Sequence, residues 1–183
     1  MLYTQYRHQI LFNMEHNSES EYYEYYKKDF YESATIIRPT FDFDGEGILW
    51  LAGEIDATNP QWIEDNNIKA VVSCADHSPF PLVKNCLELN FPDEPDRREE
   101  IFYKKEITKA VQFIGNNINN GVNTCVYCKM GVNRSAAVVI CYLRQKFKYS
   151  FNTVHKNILL QRFINLDFLY KKIAMEWDVF KLK

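Results

Sequence analysis

The stretch that decides the fold is Cys128-Lys129-Met130-Gly131-Val132-Asn133-Arg134-Ser135. An apolar, strand-like run from Val122 to Tyr127 precedes it, and a helix-like run from Ala136 to Phe147 follows. The chain therefore passes from a strand through a short loop directly onto a helix N-terminus, where backbone N–H groups carry partial positive charge. Such a loop can surround a tetrahedral anion, so the sequence predicts a phosphate-binding site here.

The side chains of this loop suit phosphate chemistry. Arg134 offers a planar guanidinium that can pair with two phosphate oxygens at once, and Gly131 permits a tight backbone path. Cys128 lies at the base of the positive field, so we expect its pKa to be below that of a free thiol. A thiolate beneath a bound phosphorus atom can attack it as a nucleophile. The residues predicted to bind the phosphate are Lys129, Met130, Gly131, Val132, Asn133 and Arg134, with Lys129 and Met130 on the rim.

The loop and its flanks resemble the signature of the dual-specificity branch of the cysteine-dependent protein tyrosine phosphatases. The segments Gly47–Gly53 and Asn67–Ser73 resemble that family's first two strands, and the resemblance covers roughly Gly45 to Trp177. It implies a protein phosphatase, a phosphoric monoester hydrolase that acts on phosphotyrosine and also on phosphoserine or phosphothreonine through a phosphocysteine intermediate. It also implies a phosphorylated protein as partner and a reaction without metal or other cofactor.

The resemblance further implies a general acid, which in the family is an aspartate between a strand and the long helix that follows. Asp93 fits the end of the strand, whereas Asp96, 32 residues before Cys128, fits the separation from the nucleophile. Either could instead be an ordinary loop acid, and Asp96 also suits a helix cap before Arg98. Ser135 would stabilise the thiolate when the phosphocysteine breaks down, and it also suits a helix N-cap.

This chain departs from the family pattern at Tyr127, where the family usually has a histidine. A tyrosine can hydrogen-bond but cannot supply positive charge. We therefore expect either a weaker nucleophile at Cys128 or a thiolate held mainly by the loop amides and Arg134. Arg162 and Asn165 resemble a shortened form of the family's late helix–helix turn, and we interpret them as structural.

Alternating strand and helix patterns predict an α/β fold with a central, mostly parallel sheet flanked by helices, and the family resemblance implies that this fold is of phosphatase type. Ligands bind such sheets beyond the carboxyl ends of the strands, where Cys128 is expected. The predicted strands are Ile48–Leu51, Lys69–Ser73, Cys86–Phe91 and the run before Cys128. The predicted helices are Asn59–Asn66, Arg98–Asn119, the run after Arg134, Phe151–Gln161 and Leu166–Phe180.

Residues 1–44 read as an N-terminal helical extension to a catalytic domain at 45–183. Ser18-Glu19-Ser20-Glu21 resembles a capping box, and Tyr22, Tyr26 and Phe30 follow at helical spacing. This aromatic face either packs on its own domain or docks on a second copy, which would give a homodimer.

The composition restricts the class of protein. Among 183 residues, 46% are hydrophobic and no apolar run approaches a membrane span, so we expect a globular chain without a membrane partner. Five cysteines in no framework spacing indicate a reducing compartment, cytoplasmic or nuclear. Cys125 and Cys128 would lie roughly 10 Å apart on opposite faces of a strand, which excludes a disulfide between them.

Two other functions remain open at this point. Asn133 before Arg134 resembles relatives that remove 5′ phosphates from RNA, although the modest charge, −2 overall, argues against a nucleic-acid partner. Tyr127 raises the alternative of a low-activity pseudophosphatase that binds phosphorylated partners.

Overall fold

The structure is a computed structural model that describes residues 47–76 and 82–178. These residues belong to the second of two units into which the chain divides, Ile36–Lys183. The predicted N-terminal helix, its proposed dimer face and the boundary at residues 44 and 45 lie outside the described residues and stay predictions.

The centre of the described part is a four-stranded sheet. Its strands are β1 (Leu49–Gly53), β2 (Ala70–Ser73), β3 (Cys86–Glu88) and β4 (Thr124–Cys128), in the order β1-β4-β2-β3. All three pairings are parallel, which confirms the predicted sheet. Since Gly53 aligns with Cys128 and Ser73 with Tyr127, the carboxyl ends of β1, β4 and β2 meet at one edge.

Helices connect and cover these strands. They are α1 (Glu54–Ala57), α2 (Pro60–Asp65), α3 (Glu100–Asn119), α4 (Arg134–Phe147), α5 (Phe151–Leu159) and α6 (Phe168–Met175), with a 3₁₀ turn at Arg97–Glu99 before α3. Local sequence sets several ends. The Asn59 side chain caps α2 ahead of Pro60, and Ser150 caps α5. After α3 the chain turns through Gly121, whose φ is +74°.

The two faces of the sheet contribute to two hydrophobic cores. The larger core joins one face to α3, α4, α5 and α6, and the smaller joins the other face to α1 and α2. Because side chains alternate along β4, Val126 and Cys128 enter the larger core while Cys125 and Tyr127 enter the smaller one. The predicted opposition of Cys125 and Cys128 is thus confirmed.

Several predicted boundaries differ from the structure by one or two residues, and those of the third strand and the last helix differ by more. The third strand stops at Glu88 rather than Phe91, because Asn90 has a φ of +51° and turns the chain out of the ladder. The last helix starts at Phe168 because the Asp167 side chain caps it, and it ends at Met175. Helix α1 was not predicted, since its four residues directly follow β1 without a separate hydrophobic repeat.

None of the helices in residues 47–76 and 82–178 is long and apolar enough to cross a membrane.

The packing of α3 generates a stability prediction. Ile114 is fully buried in the larger core, whereas Ile101 on the same helix is 83% exposed. Ile114→Ala should lower the free energy of unfolding by about 2–5 kcal/mol, because it leaves a cavity. Ile101→Ala should change it by less than about 0.5 kcal/mol. Urea denaturation of both variants measures the difference, and equal losses would contradict this assignment of the buried face.

Candidate active site

The loop from Cys128 to Arg134 joins the carboxyl end of β4 to the first residue of α4. Gly131 has a φ of +69°, and a Cβ there would collide with the carbonyl oxygen of Ala52 and with Nη2 of Arg162. A glycine is therefore required both by the backbone conformation and by the neighbouring atoms. The Lys129 and Met130 side chains are exposed on the rim, as predicted, and Val132 and Asn133 are half-buried.

Cys128 is only 2% exposed, yet its surroundings favour the thiolate. Burial by itself would raise the pKa of the Cys128 thiol. Hydrogen bonds from the side chain and backbone of Ser135, the charge of Arg134 and the backbone N–H of Gly131 outweigh burial and lower it. The Ser135 hydroxyl donates to Cys128 Sγ at 3.2 Å.

The other four thiols differ sharply from Cys128. Burial raises the pKa values of Cys74, Cys125 and Cys141, and it raises that of Cys86 to about 11. Cys128 is therefore the cysteine that ionises most readily, as the loop pattern predicts.

Arg134 is buried to the same degree as Cys128 and connects the loop to two other segments. Its Nη1 donates to the carbonyl oxygen of Phe91 at 2.7 Å and to Oδ1 of Asp76 at 3.4 Å. Its Nη2 pairs with Oδ1 of Asp93 at 2.7 Å. The guanidinium thus lies among carboxylates that a phosphate would have to replace.

The two aspartates that the sequence left as alternatives have different surroundings. Asp93 lies beside Arg134, whereas Asp96 caps the 3₁₀ turn and forms an ion pair with Arg98 at 2.6 Å. Hydrogen bonds from the side chain and backbone of Arg98 lower the pKa of Asp96 to about 2. Asp96 is therefore engaged as a cap and as the ion-pair partner of Arg98. The interpretation of Asp96 as a cap is confirmed.

The interpretation of Ser135 as a helix N-cap is wrong. Asn133 is the N-cap residue of α4, and Ser135 lies within the first turn with its hydroxyl directed to Cys128. The sequence could not distinguish these positions, because both depend on where the loop becomes helical.

The Asn133 side chain is bound to the protein itself. Its Nδ2 donates to Oδ2 of Asp167 at 2.9 Å, and its Oδ1 accepts the backbone N–H of Asp167 at 3.0 Å. The other carboxylate oxygen of Asp167, Oδ1, accepts the backbone N–H of Tyr170 and so caps α6. Asn133 therefore ties the loop to the start of the last helix.

Tyr127, which replaces the usual histidine, contributes its side chain to the smaller core on the opposite face of β4 from Cys128. The groups that lower the pKa of Cys128 come from Ser135, Arg134 and Gly131. This agrees with the expectation that loop amides and Arg134 hold the thiolate.

Sequence reasoning missed Asp76 as a partner of Arg134. Its position directly after β2, at the edge where the strands end, was an available signal. Sequence reasoning also gave Arg162 only a structural role, although its guanidinium donates to the carbonyl oxygen of Met130 at 2.6 Å. Within residues 47–76 and 82–178, no group of three or more His, Cys, Asp or Glu side chains could hold a metal ion.

Comparison with known proteins identifies the family. The family model described as "Dual specificity phosphatase, catalytic domain" matches residues 49–178, more than half of the chain. The chain belongs to the dual-specificity phosphatase family. This confirms the resemblance carried by the loop.

Individual relatives match this dual-specificity phosphatase domain at modest sequence identity. Dual specificity protein phosphatase 15 of Rattus norvegicus is 36% identical over 97 residues, which cover 52% of this chain and 39% of the relative. The chain thus spans about two fifths of the length of that protein.

Solved structures confirm the fold. DUSP15 aligns with a TM-score of 0.59 at 23% identity, covering 70% of this chain and 81% of the other. The Yvh1 phosphatase domain from Chaetomium thermophilum aligns with a TM-score of 0.64 at 18% identity, covering 78% of this chain and 95% of the other.

The hydroxyl of Ser135 generates a prediction about the thiol. Ser135→Ala should raise the pKa of Cys128, because a hydrogen bond to the charged form is lost. The pH dependence of iodoacetamide alkylation, followed by mass spectrometry of the Cys128 peptide, measures this shift.

The matched control is Ser150→Ala. The Ser150 hydroxyl accepts the backbone N–H of Thr153 at the start of α5, so its loss should cost about 1 kcal/mol of stability without moving the alkylation midpoint. A parent-like midpoint in Ser135→Ala would show that the 3.2 Å contact does not hold the thiolate.

Proposed function

We propose that this chain is a cysteine-dependent protein phosphatase that hydrolyses phosphotyrosine, and also phosphoserine or phosphothreonine, without a metal. The observation that carries the proposal is the environment of Cys128, where donors lower the pKa of a buried thiol directly beside the Arg134 guanidinium. Membership of the dual-specificity phosphatase family supports it.

In the first step, the phosphate dianion replaces Asp93 and Asp76 on the Arg134 guanidinium. Loop N–H groups and Arg134 hold the non-bridging oxygens, and the Cys128 thiolate attacks phosphorus as the bond to the leaving oxygen breaks. Asp93 supplies the proton to that oxygen. Once displaced from Arg134, the Asp93 carboxylate takes up a proton from water and passes it to the leaving oxygen.

In the second step, water attacks the phosphocysteine. The Asp93 carboxylate accepts a proton from the water, the S–P bond breaks, and inorganic phosphate leaves with the sulfur again a thiolate. The Ser135 hydroxyl, 3.2 Å from Sγ, stabilises the thiolate as it departs. Each aspartate and cysteine returns to its starting protonation state.

The contacts of Asn133 bear on the RNA alternative. This residue motivated the comparison with RNA phosphatases, but its amide is used by Asp167 on both sides. A structural reason for the asparagine removes the feature that favoured RNA. We therefore propose that the partner is a phosphorylated protein. We also propose that the chain works in a reducing compartment, cytoplasmic or nuclear, where the five cysteines remain thiols.

A turnover assay tests this proposal. The parent protein should hydrolyse an aryl phosphate in the presence of a chelator, vanadate should inhibit it, and Cys128→Ser should abolish turnover because the nucleophile is lost. Phosphotyrosine peptides should be hydrolysed faster than 5′-triphosphorylated RNA. Faster release of phosphate from the RNA would favour the RNA alternative, and peptide binding without turnover would favour a pseudophosphatase.

The assignment of the general acid gives a second test. Asp93→Asn should lower kcat for phosphopeptides by roughly 10²- to 10⁴-fold, because their leaving oxygen needs a proton. The loss should be smaller for an aryl phosphate with an acidic leaving group. Asp96→Asn serves as the matched control and should leave kcat close to that of the parent. The reverse ranking in a steady-state assay would assign the acid to Asp96.

A further inference from the structure

We propose that Arg162, which lies outside the phosphate loop, is a positioning residue that orients the Met130–Gly131 peptide so that the Gly131 N–H faces Cys128 Sγ. The inference deepens the proposed function and rests on it for the reaction that the loop serves. It assigns to Arg162 a part in forming the anion site, beyond the structural role that its sequence position suggested.

Arg162 connects the loop to the central sheet. Its Nη2 donates to the carbonyl oxygen of Met130 at 2.6 Å, and its Nη1 donates to the carbonyl oxygen of Leu51 in β1 at 3.3 Å. The side chain is 9% exposed. A planar, buried guanidinium with two donors on two backbone segments fixes their separation and orientation.

The geometry of the peptide unit turns this contact into an effect on the site. In a trans peptide the carbonyl of Met130 and the N–H of Gly131 point in opposite directions. Every described peptide bond is trans. When Arg162 holds the Met130 carbonyl on the outer side of the loop, the Gly131 N–H must face inward. It does so, since the Gly131 N–H is among the donors that lower the pKa of Cys128.

Two neighbouring carbonyls of the loop are held outward in the same way, but by backbone groups. The Lys129 carbonyl accepts the N–H of Glu54 at 3.1 Å, and the Val132 carbonyl accepts the N–H of Asn165 at 3.1 Å. Met130 is different, because a side chain holds its carbonyl. This contact can therefore be removed by a substitution that leaves the loop sequence intact.

Gly131 and Arg162 also fit each other sterically. A Cβ at residue 131 would collide with Nη2 of Arg162. The guanidinium thus lies directly beneath the residue whose N–H it orients.

Charge adds to the effect of geometry. The Cys128 thiolate and the Asp56 carboxylate interact with Arg162, and the charged groups that interact with Cys128 include Arg134. Cys74 also interacts with Cys128, but burial keeps Cys74 a neutral thiol. Loss of Arg162 would therefore remove a cation that interacts with Cys128 as well as the anchor of one donor.

The test compares three variants of the full chain by the pH dependence of Cys128 alkylation. In Arg162→Met the midpoint should rise by about one pH unit, because one donor and one cation no longer favour the thiolate. Protection of Cys128 from alkylation by inorganic phosphate should need roughly tenfold more phosphate. Arg162→Lys keeps the charge but cannot make both hydrogen bonds, so its alkylation midpoint should fall between that of Arg162→Met and that of the parent.

Arg144→Met is the matched control. Arg144 also donates to backbone carbonyls, those of Ala174 and Met175 at the end of α6 and that of Tyr149 between α4 and α5. It should lose thermal stability while keeping the parent's alkylation midpoint and phosphate protection. A similar rise of the alkylation midpoint in Arg162→Met and Arg144→Met would overturn the proposal, because general loosening of the fold would then explain the rise.

A folded Arg162→Met variant with the parent's midpoint and phosphate protection would also overturn the proposal. If circular dichroism shows that Arg162→Met is unfolded, Arg162→Lys decides: a raised midpoint supports the proposal and a parent-like one overturns it. Alkylation does not require turnover. A parent without phosphatase activity would therefore refute the proposed function while the titration still tests Arg162.

Discussion

The site depends on holding a negatively charged sulfur inside the protein. Burial of Cys128 opposes its ionisation, and the structure overcomes this with hydrogen bonds from Ser135 and Gly131 and with the charge of Arg134. The same donors suit a phosphate, because both anions need N–H groups that point into the loop. Each inward N–H leaves a carbonyl on the outer side, and these carbonyls need partners of their own.

Those partners come from segments far apart in sequence. The N–H of Glu54 at the start of α1, the guanidinium of Arg162 and the N–H of Asn165 bind the three outer carbonyls. Asp167 holds Asn133 at the end of the loop. The short segment between α5 and α6 thus supports the anion site from its outer side.

Much of the fold follows from local patterns. Runs of apolar residues located all four strands, and in the structure Asn59, Ser150 and Gly121 lie at or just beyond helix ends. The errors arose where a single residue changed the local conformation. Asn90 with positive φ shortened β3, and the Asp167 cap delayed α6. The choice between Asp93 and Asp96 could not be made from spacing, because it depends on how the loop folds back over Arg134.

The sequence by itself determined the parallel α/β sheet and the loop between β4 and α4, and it indicated Cys128 and Arg134 as the groups that we propose attack and bind the phosphate. These features depend on the order of apolar and turn residues within short stretches, so they can be read locally. Only the tertiary structure decided that Asp93 and Asp76 meet Arg134, that Tyr127 faces away from the sulfur, and that Arg162 holds the Met130 carbonyl. Those contacts join residues between 32 and 58 positions apart, and folding in three dimensions alone brings them within hydrogen-bond distance.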